Sequence, residues 1–227
     1  MRMKELLLGD VQFQLKYGFY LIYLIFSVLY VGLLFAFPEA WRAKAAILMI
    51  FTDPSAMGLY FMGAIILFEK SERVLDSIAV SPVKPIEYVL SKLISIGFIS
   101  TVVGFAIGIA AGIVTNLLFF IAGVFLCSCL FSAVGLIIAC KTMSLNQFII
   151  ATIPAEILIN LPAILWLFGY QKSWLLLHPG ACMMALCTGG GYLLPALLLL
   201  LLWTVLIAIQ ACSAVVKMLK SVGGVKL

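Results

Sequence analysis

Three stretches of this chain hold no charged side chain: between Lys16 and Glu39, between Lys92 and Lys141, and between Lys172 and Lys217. Each is long enough for a membrane helix, which takes about 20 apolar residues, and the middle one is long enough for two. Of the 227 residues, 65% are apolar and only 10% are charged, against roughly a quarter charged in an ordinary soluble domain. A soluble globule could not hide that much apolar surface. The pattern excludes a soluble enzyme, a disordered chain and a nucleic-acid-binding module. It leaves an integral membrane protein with little mass outside the bilayer.

The pattern predicts six spans, near 17–37, 54–68, 93–114, 117–140, 147–168 and 193–216. An even number puts both termini on one side. That side collects Arg2, Lys4, Lys16, Lys70, Arg73, Lys84, Lys92, Lys141, Lys217, Lys220 and Lys226, whereas the other holds only Arg42, Lys44 and Lys172. The excess of basic residues places both termini in the cytoplasm. Residues 1–16 read as an interfacial helix rather than a signal peptide, because the run 17–37 is longer than a typical signal core. Leu7, Leu8, Val11 and Leu15 share one side of that helix. The expected fold is all-α, a single transmembrane domain over 1–227.

Thr52-Asp53-Pro54-Ser55 reads as a helix start, with a side-chain acceptor at the cap and proline at the first helical position. It would open the second span, with 45–51 lying in the interface. Residues 54–68 are few for a bilayer, so the helix is expected to run on into the cytoplasm. Glu69, Glu72, Arg73 and Asp76 follow at i, i+3, i+4, i+7 and share a face, with Val74, Leu75 and Ile78 opposite. Ser81-Pro82 ends it.

Ser100, Gly104, Gly108 and Gly112 recur every fourth residue in the third span, and Ser128, Ser132, Gly135 and Ala139 line the fourth. Small stripes of this kind let membrane helices approach closely, so a tight hairpin is expected. On the outer side, 169–192 holds the turn His178-Pro179-Gly180, an apolar run and a Gly189-Gly190-Gly191 stop. A short re-entrant or interfacial helix fits, tolerated where protein or water satisfies its backbone. Cys182 and Cys187, five apart on such a helix, are too distant to bridge, so free thiols are expected.

Candidate chemistry is sparse. The single histidine, His178, makes no multi-histidine metal site. Neither a G-x-S-x-G elbow nor a G-x-x-x-x-G-K-[ST] phosphate loop occurs. No catalytic residue, resident metal or ATP hydrolysis is therefore expected of this chain. Glu156 is the one acid deep within an apparent span, and Thr152, Glu156 and Asn160, spaced by four, form a polar stripe bracketed by Pro154 and Pro162. An ionisable group there is costly and points to function. Three readings stand: a polar spot on a translocation path or a proton-linked switch, a carboxyl bonded to a neighbouring helix, or a broken span near water. Segment 69–92 combines an amphipathic helix, a Ser-Pro stop and the apolar Ile86, Tyr88, Val89 and Leu90. A solvated loop needs no such apolar face, whereas a docking surface for a soluble partner does.

The run Glu69-Lys70-Ser71-Glu72-Arg73-Val74-Leu75, then Ser81-Pro82-Val83, then Tyr88 and Lys92, resembles the ABC-2 type permease family. Asp53-Pro54 and His178-Pro179-Gly180 share the likeness, while Arg73 stands where glycine would be expected. The short chain is similar to the permeases of drug-export systems, including the fluoroquinolone-export type. The resemblance implies a type V exporter-like fold and a half-size subunit that pairs with an identical or paralogous copy in membrane lipid. A separate ATP-binding cassette subunit would carry ATP and magnesium and dock on the 69–92 coupling segment. Glu69, Glu72, Arg73, Val74, Asp76, Ile78, Ser81, Pro82 and Lys92 are then the candidate coupling residues. Thr152, Glu156 and Asn160 would line the path, His178, Pro179 and Gly180 would form an outer gate, and the site would be the bacterial cytoplasmic membrane. The substrate would be apolar or amphipathic: a drug, lipid or peptide. The alternatives are a substrate-binding module of a vitamin-uptake system and a secondary transporter that works without ATP.

Overall fold

The computed structural model describes residues 2–222; Lys226, counted above among the tail's basic residues, lies outside them. Ten α-helices follow one another: α1 Arg2–Lys16, α2 Phe19–Ala36, α3 Glu39–Thr52, α4 Leu59–Ser71, α5 Val74–Val80, α6 Pro85–Ala111, α7 Leu117–Lys141, α8 Leu145–Leu167, α9 Pro179–Thr188 and α10 Leu193–Val222. A π-helical turn, Asp53–Gly58, joins α3 to α4, and a 3₁₀ turn, Ser173–Leu177, precedes α9. Among the described residues, five helices are long and apolar enough to cross a membrane: α2, α6, α7, α8 and α10.

The expected second span is a different object. Asp53 is not a cap: its φ of −61° and ψ of −59° are helical, and α3 runs straight into it. Helical backbone therefore continues from Glu39 to Ser71, broken only by the π turn. Proline has no N–H and crowds the carbonyl four residues back, and a widened turn is one way for a helix to absorb it. The α3 and α4 pieces, of 14 and 13 residues, are each too short to span alone.

Local signals set the other ends. Pro85 occupies the first turn of α6, and Glu87 reaches back to accept the Lys84 N–H at 2.8 Å. α6 thus begins eight residues before the expected span, and Lys92 lies two turns inside it rather than at its mouth. Ser144 caps α8, accepting the Gln147 N–H at 3.4 Å, while Gln147 accepts the Met143 N–H at 3.1 Å. Pro154 and Pro162 both lie inside α8, which remains one helix, so the span is not broken at Glu156.

α7 is the central post. It packs against α4, α6, α10, α9 and the π turn. Gly135 lets the α4 backbone in so closely that a Cβ there would fall 2.4 Å from the Leu59 carbonyl oxygen. In the most apolar 18-residue stretch of each helix, 56% of the residues are buried in α6 and in α7, against 11% in α2, 17% in α10 and 22% in α8. The last three present most of their apolar surface outward.

Candidate coupling site and intramembrane polar groups

Lys92 has 2% of its side chain exposed. An ammonium in such a place must be compensated, since moving it out of water alone is costly. Two acids from other helices do so. Nζ lies 2.5 Å from Glu69 Oε1 at the end of α4 and 3.0 Å from Asp10 Oδ1 on α1. The remaining carboxylate oxygens are also occupied. Tyr88 donates its hydroxyl to Glu69 Oε2 at 2.5 Å, and Ser91 donates to Asp10 Oδ2. Tyr88, Ser91 and Lys92 sit at i, i+3, i+4 on one face of α6, so one helical surface supplies all three. A turn further along α1, Gln14 donates to Ser95 at 2.8 Å, and Ser95 donates to the Lys92 carbonyl at 2.9 Å. The inward face of α1 carries Asp10 and Gln14 beside Phe13, while Leu8 and Leu15 point away, 60% and 56% exposed. That inversion suits a helix lying in the membrane interface.

The coupling segment hangs from this knot, but not as one helix. α4 ends at Ser71, and Arg73, φ 56°, occupies the left-handed region, the one non-glycine residue to do so among those described. Glycine takes that conformation freely and arginine does not. The expected single face of Glu69, Glu72, Arg73 and Asp76 is therefore split. Glu69 is buried in the ion cluster, while Glu72, Arg73 and Asp76 face outward at the break and on α5. Leu75 is buried, and α5 packs against α4 and α10. Lys70 anchors the root of the segment by donating to the carbonyls of Ala139 at 2.7 Å, Cys140 at 3.2 Å and Thr142 at 2.8 Å. It thereby satisfies the carbonyls left open where α7 ends. At Ser81-Pro82, the serine hydroxyl donates to the Ile78 carbonyl at 2.8 Å and so closes α5. The apolar residues that face out most here are Val80, Ile86 and Met143, with Val74 and Leu90 partly exposed, whereas Tyr88 and Val89 are buried.

Behind α5 lies a cavity of about 550 Å³. Phe13, Val74, Ile78 and Val83 supply apolar wall, and Glu5, Asp10, Glu69 and Lys92 supply charge. Val74 and Ile78 thus line an internal space.

Farther into the bundle, the polar stripe of α8 meets α4. Thr152 is fully buried and donates to the Ile149 carbonyl at 2.7 Å, with its Oγ1 3.5 Å from the Tyr60 hydroxyl. Asn160, the third member, has a buried Oδ1 with no partner. Asp53, in the π turn, is 0% exposed and neither carboxyl oxygen has a partner; the Ser128 hydroxyl of α7 is unpartnered as well. At the end of the bundle away from Lys92, α9 is buried from Pro179 to Cys187 between α7, α8 and α10. His178 caps it, its Nδ1 accepting the Gly180 N–H at 3.3 Å, and burial pushes the imidazole pKa down, which favours the neutral acceptor. Gly180 lies against α8, where a Cβ would fall 2.5 Å from the Ile159 carbonyl oxygen. Both Cys182 and Cys187 are free thiols. Gly104 and Gly108 of α6 face Val124 and Phe120 of α7, while Gly112, φ 67°, ends α6 with open space around it.

Over residues 1–222 the chain matches the fluoroquinolones export permease protein family. It belongs to that family. Two curated relatives from Mycobacterium tuberculosis, strains CDC 1551 and H37Rv, both named fluoroquinolones export permease protein, are 28% identical to it over 153 residues. The match takes in 66% of this chain and 63% of each relative, so the chain spans somewhat under two thirds of their length. The permease is a multi-pass membrane protein built of apolar helices.

Sequence reading did not find Asp10 or Tyr60 as partners. Asp10 is 82 positions from Lys92 and Tyr60 is 92 from Thr152. The one available signal at Asp10 was a lone acid within an otherwise apolar stretch of α1, opposite the leucines. Asp53 was visible, but its proline neighbour gave it a capping role that the helical backbone removes.

Proposed function

We propose that this permease is the transmembrane subunit of an ATP-driven exporter. It pairs with a second copy or a paralogue and takes its energy from a separate ATP-binding cassette subunit that holds ATP and magnesium. The observation that supports this most directly is the wiring of segment 69–92. Glu69 and Lys92, at its two ends, are joined by a buried ion pair, and Lys70 ties its root to the end of α7. A rigidly rooted segment transmits a push, whereas a floppy loop would absorb it. The docking surface in this reading is the exposed Val80, Ile86 and Met143, with Glu72, Arg73, Asp76 and Pro82 around them.

In the same reading the broken run from Glu39 to Ser71 is the sixth crossing, both termini are cytoplasmic, and the location is the plasma membrane of a bacterium. Thr152, Glu156 and Asn160 with Tyr60 form a polar strip of the path, and His178, Pro179 and Gly180 set the position of an outer gate helix. The relatives' name makes fluoroquinolones the first substrates to test, and the nearly charge-free spans suit an amphipathic cargo of that kind.

The test is copurification and drug efflux. An ATPase should co-elute with the tagged wild type, and cells making the pair should accumulate less fluoroquinolone. Val80→Asp with Ile86→Asp should abolish co-elution and efflux while leaving thermal stability in detergent unchanged. Normal co-elution with the double variant would sink the docking assignment, and efflux that persists without any ATPase would favour a secondary transporter.

A further inference from the structure

The cavity behind α5 is more than a gap under the coupling helix. Its volume, about 550 Å³, falls within the range of small-molecule sites, which run from roughly 300 to 1,000 Å³. It has two unlike walls. Phe13 on α1, Val74 and Ile78 on α5 and Val83 in the following turn make an apolar side. Glu5, Asp10 and Glu69 face the space with Lys92 as the opposing charge. Lys92 already bonds both Asp10 and Glu69. Three carboxylates against one ammonium leave the lining net negative, and Lys92 pairs with Asp10 and Glu69 rather than with the exposed Glu5.

We infer that this cavity is a binding site for an amphipathic organic monocation, an apolar body carrying one positive charge. The body packs between Phe13, Val74 and Val83, and the charge lies toward Glu5 and the outer edge of the Asp10–Glu69 pair. A phosphate or carboxylate ligand is disfavoured by the same excess of carboxylate. α1, with Leu8 and Leu15 turned outward, lets such a molecule approach along the membrane interface. Because α5 is one wall, an occupant sets how far α5 can move; this last link rests on the exporter reading, but the binding itself does not.

The experiment uses the full purified chain in non-ionic detergent at low salt, without any ATPase subunit. Equilibrium dialysis would measure tetraphenylphosphonium, a permanent cation, beside tetraphenylborate, an anion of similar size and shape. Saturable binding of the cation alone is expected, weakening as salt is added. Glu5→Gln, at an exposed position, should weaken it by about threefold to tenfold, the effect of roughly 1 kcal/mol of lost attraction. Val83→Trp should remove saturable binding by filling the space, while the melting temperature shows that each variant is folded. Equal uptake of the anion, uptake of the cation that never saturates, or binding unchanged in both variants would each overturn the assignment. Loss of ATPase co-elution would leave the cation binding intact, so the two readings fail separately.

Discussion

The foot of the bundle, where α1, α4 and α6 meet, and its middle both bury polar side chains, and they treat them in opposite ways. At the foot, Asp10, Glu69, Lys92, Tyr88, Ser91, Gln14 and Ser95 form a chain of bonds that leaves neither carboxylate nor the ammonium unpartnered. In the middle, Asp53 and Ser128 have no partner, and Asn160 Oδ1 has none either. A closed network in low dielectric is rigid and expensive to open. An unsatisfied buried group is a standing cost that a moving part, a water or a ligand relieves. The foot is therefore the stiffer of the two regions; under the exporter reading it would pass on force while the middle changes.

The largest test of this contrast is Lys92→Met. It leaves two carboxylates facing each other without their cation and should cost about 3–5 kcal/mol, read as a large fall in melting temperature. Adding Glu69→Gln should return part of the loss, because one stranded charge is gone. A Lys92→Met protein as stable as wild type would erase the distinction between the two regions.

A smaller effect of the opposite sign is expected at the break between α4 and α5. Arg73→Gly relieves a side chain held in the left-handed region and should stabilise by about 1 kcal/mol, offset in part by the greater freedom of glycine when unfolded. Destabilisation would mean that the arginine side chain makes contacts worth more than its strain.

Asn160→Leu should leave stability within about 1 kcal/mol of wild type, since it replaces an unpaired polar atom with one that needs no partner. Under the exporter reading, efflux should fall nonetheless. A strong loss of stability would show instead that Asn160 is structural, like the residues of the foot.

The smallest effect concerns pH at the end of the bundle away from Lys92. Burial lowers the His178 pKa in the folded protein below its ordinary 6.5. The folded state then binds the proton less readily than the unfolded chain. The stabilising contribution is present above pH 6.5 and is lost as pH falls below it. The protection of the Gly180 and Cys182 amides against hydrogen exchange, taken relative to the intrinsic rate at each pH, should fall between pH 7.5 and 5.5, and His178→Asn, which keeps a capping acceptor without the titration, should flatten that dependence.

The long crossings were legible because lipid imposes a simple rule: a helix in hydrocarbon must be apolar for its whole length. Uncharged runs therefore locate α2 and α7 within a few residues, whereas α6 starts eight residues earlier and α10 runs on past its uncharged run to Val222; the glycines after Thr188 mark where α9 stops. Broken elements were less legible. Pro54 signals an interruption, but a capped helix start and a π turn inside a continuing helix have the same local sequence. Arg73 carries no breaker residue at all. The left-handed turn there follows from packing α5 onto α4 and α10, a tertiary demand that overrides a weak local preference.

The sequence by itself determined that this is a membrane protein, which stretches cross the bilayer most plainly, and that 69–92 is a charged segment with an apolar face of its own. Only the tertiary structure decided which charges belong together. Lys92 finds Glu69 across 23 positions and Asp10 across 82, and no periodicity along one helix encodes a meeting of three. That meeting exists because an ammonium buried at the foot of α6 is tolerable only beside carboxylates, and folding brings α1 and α4 to the one place where they satisfy it.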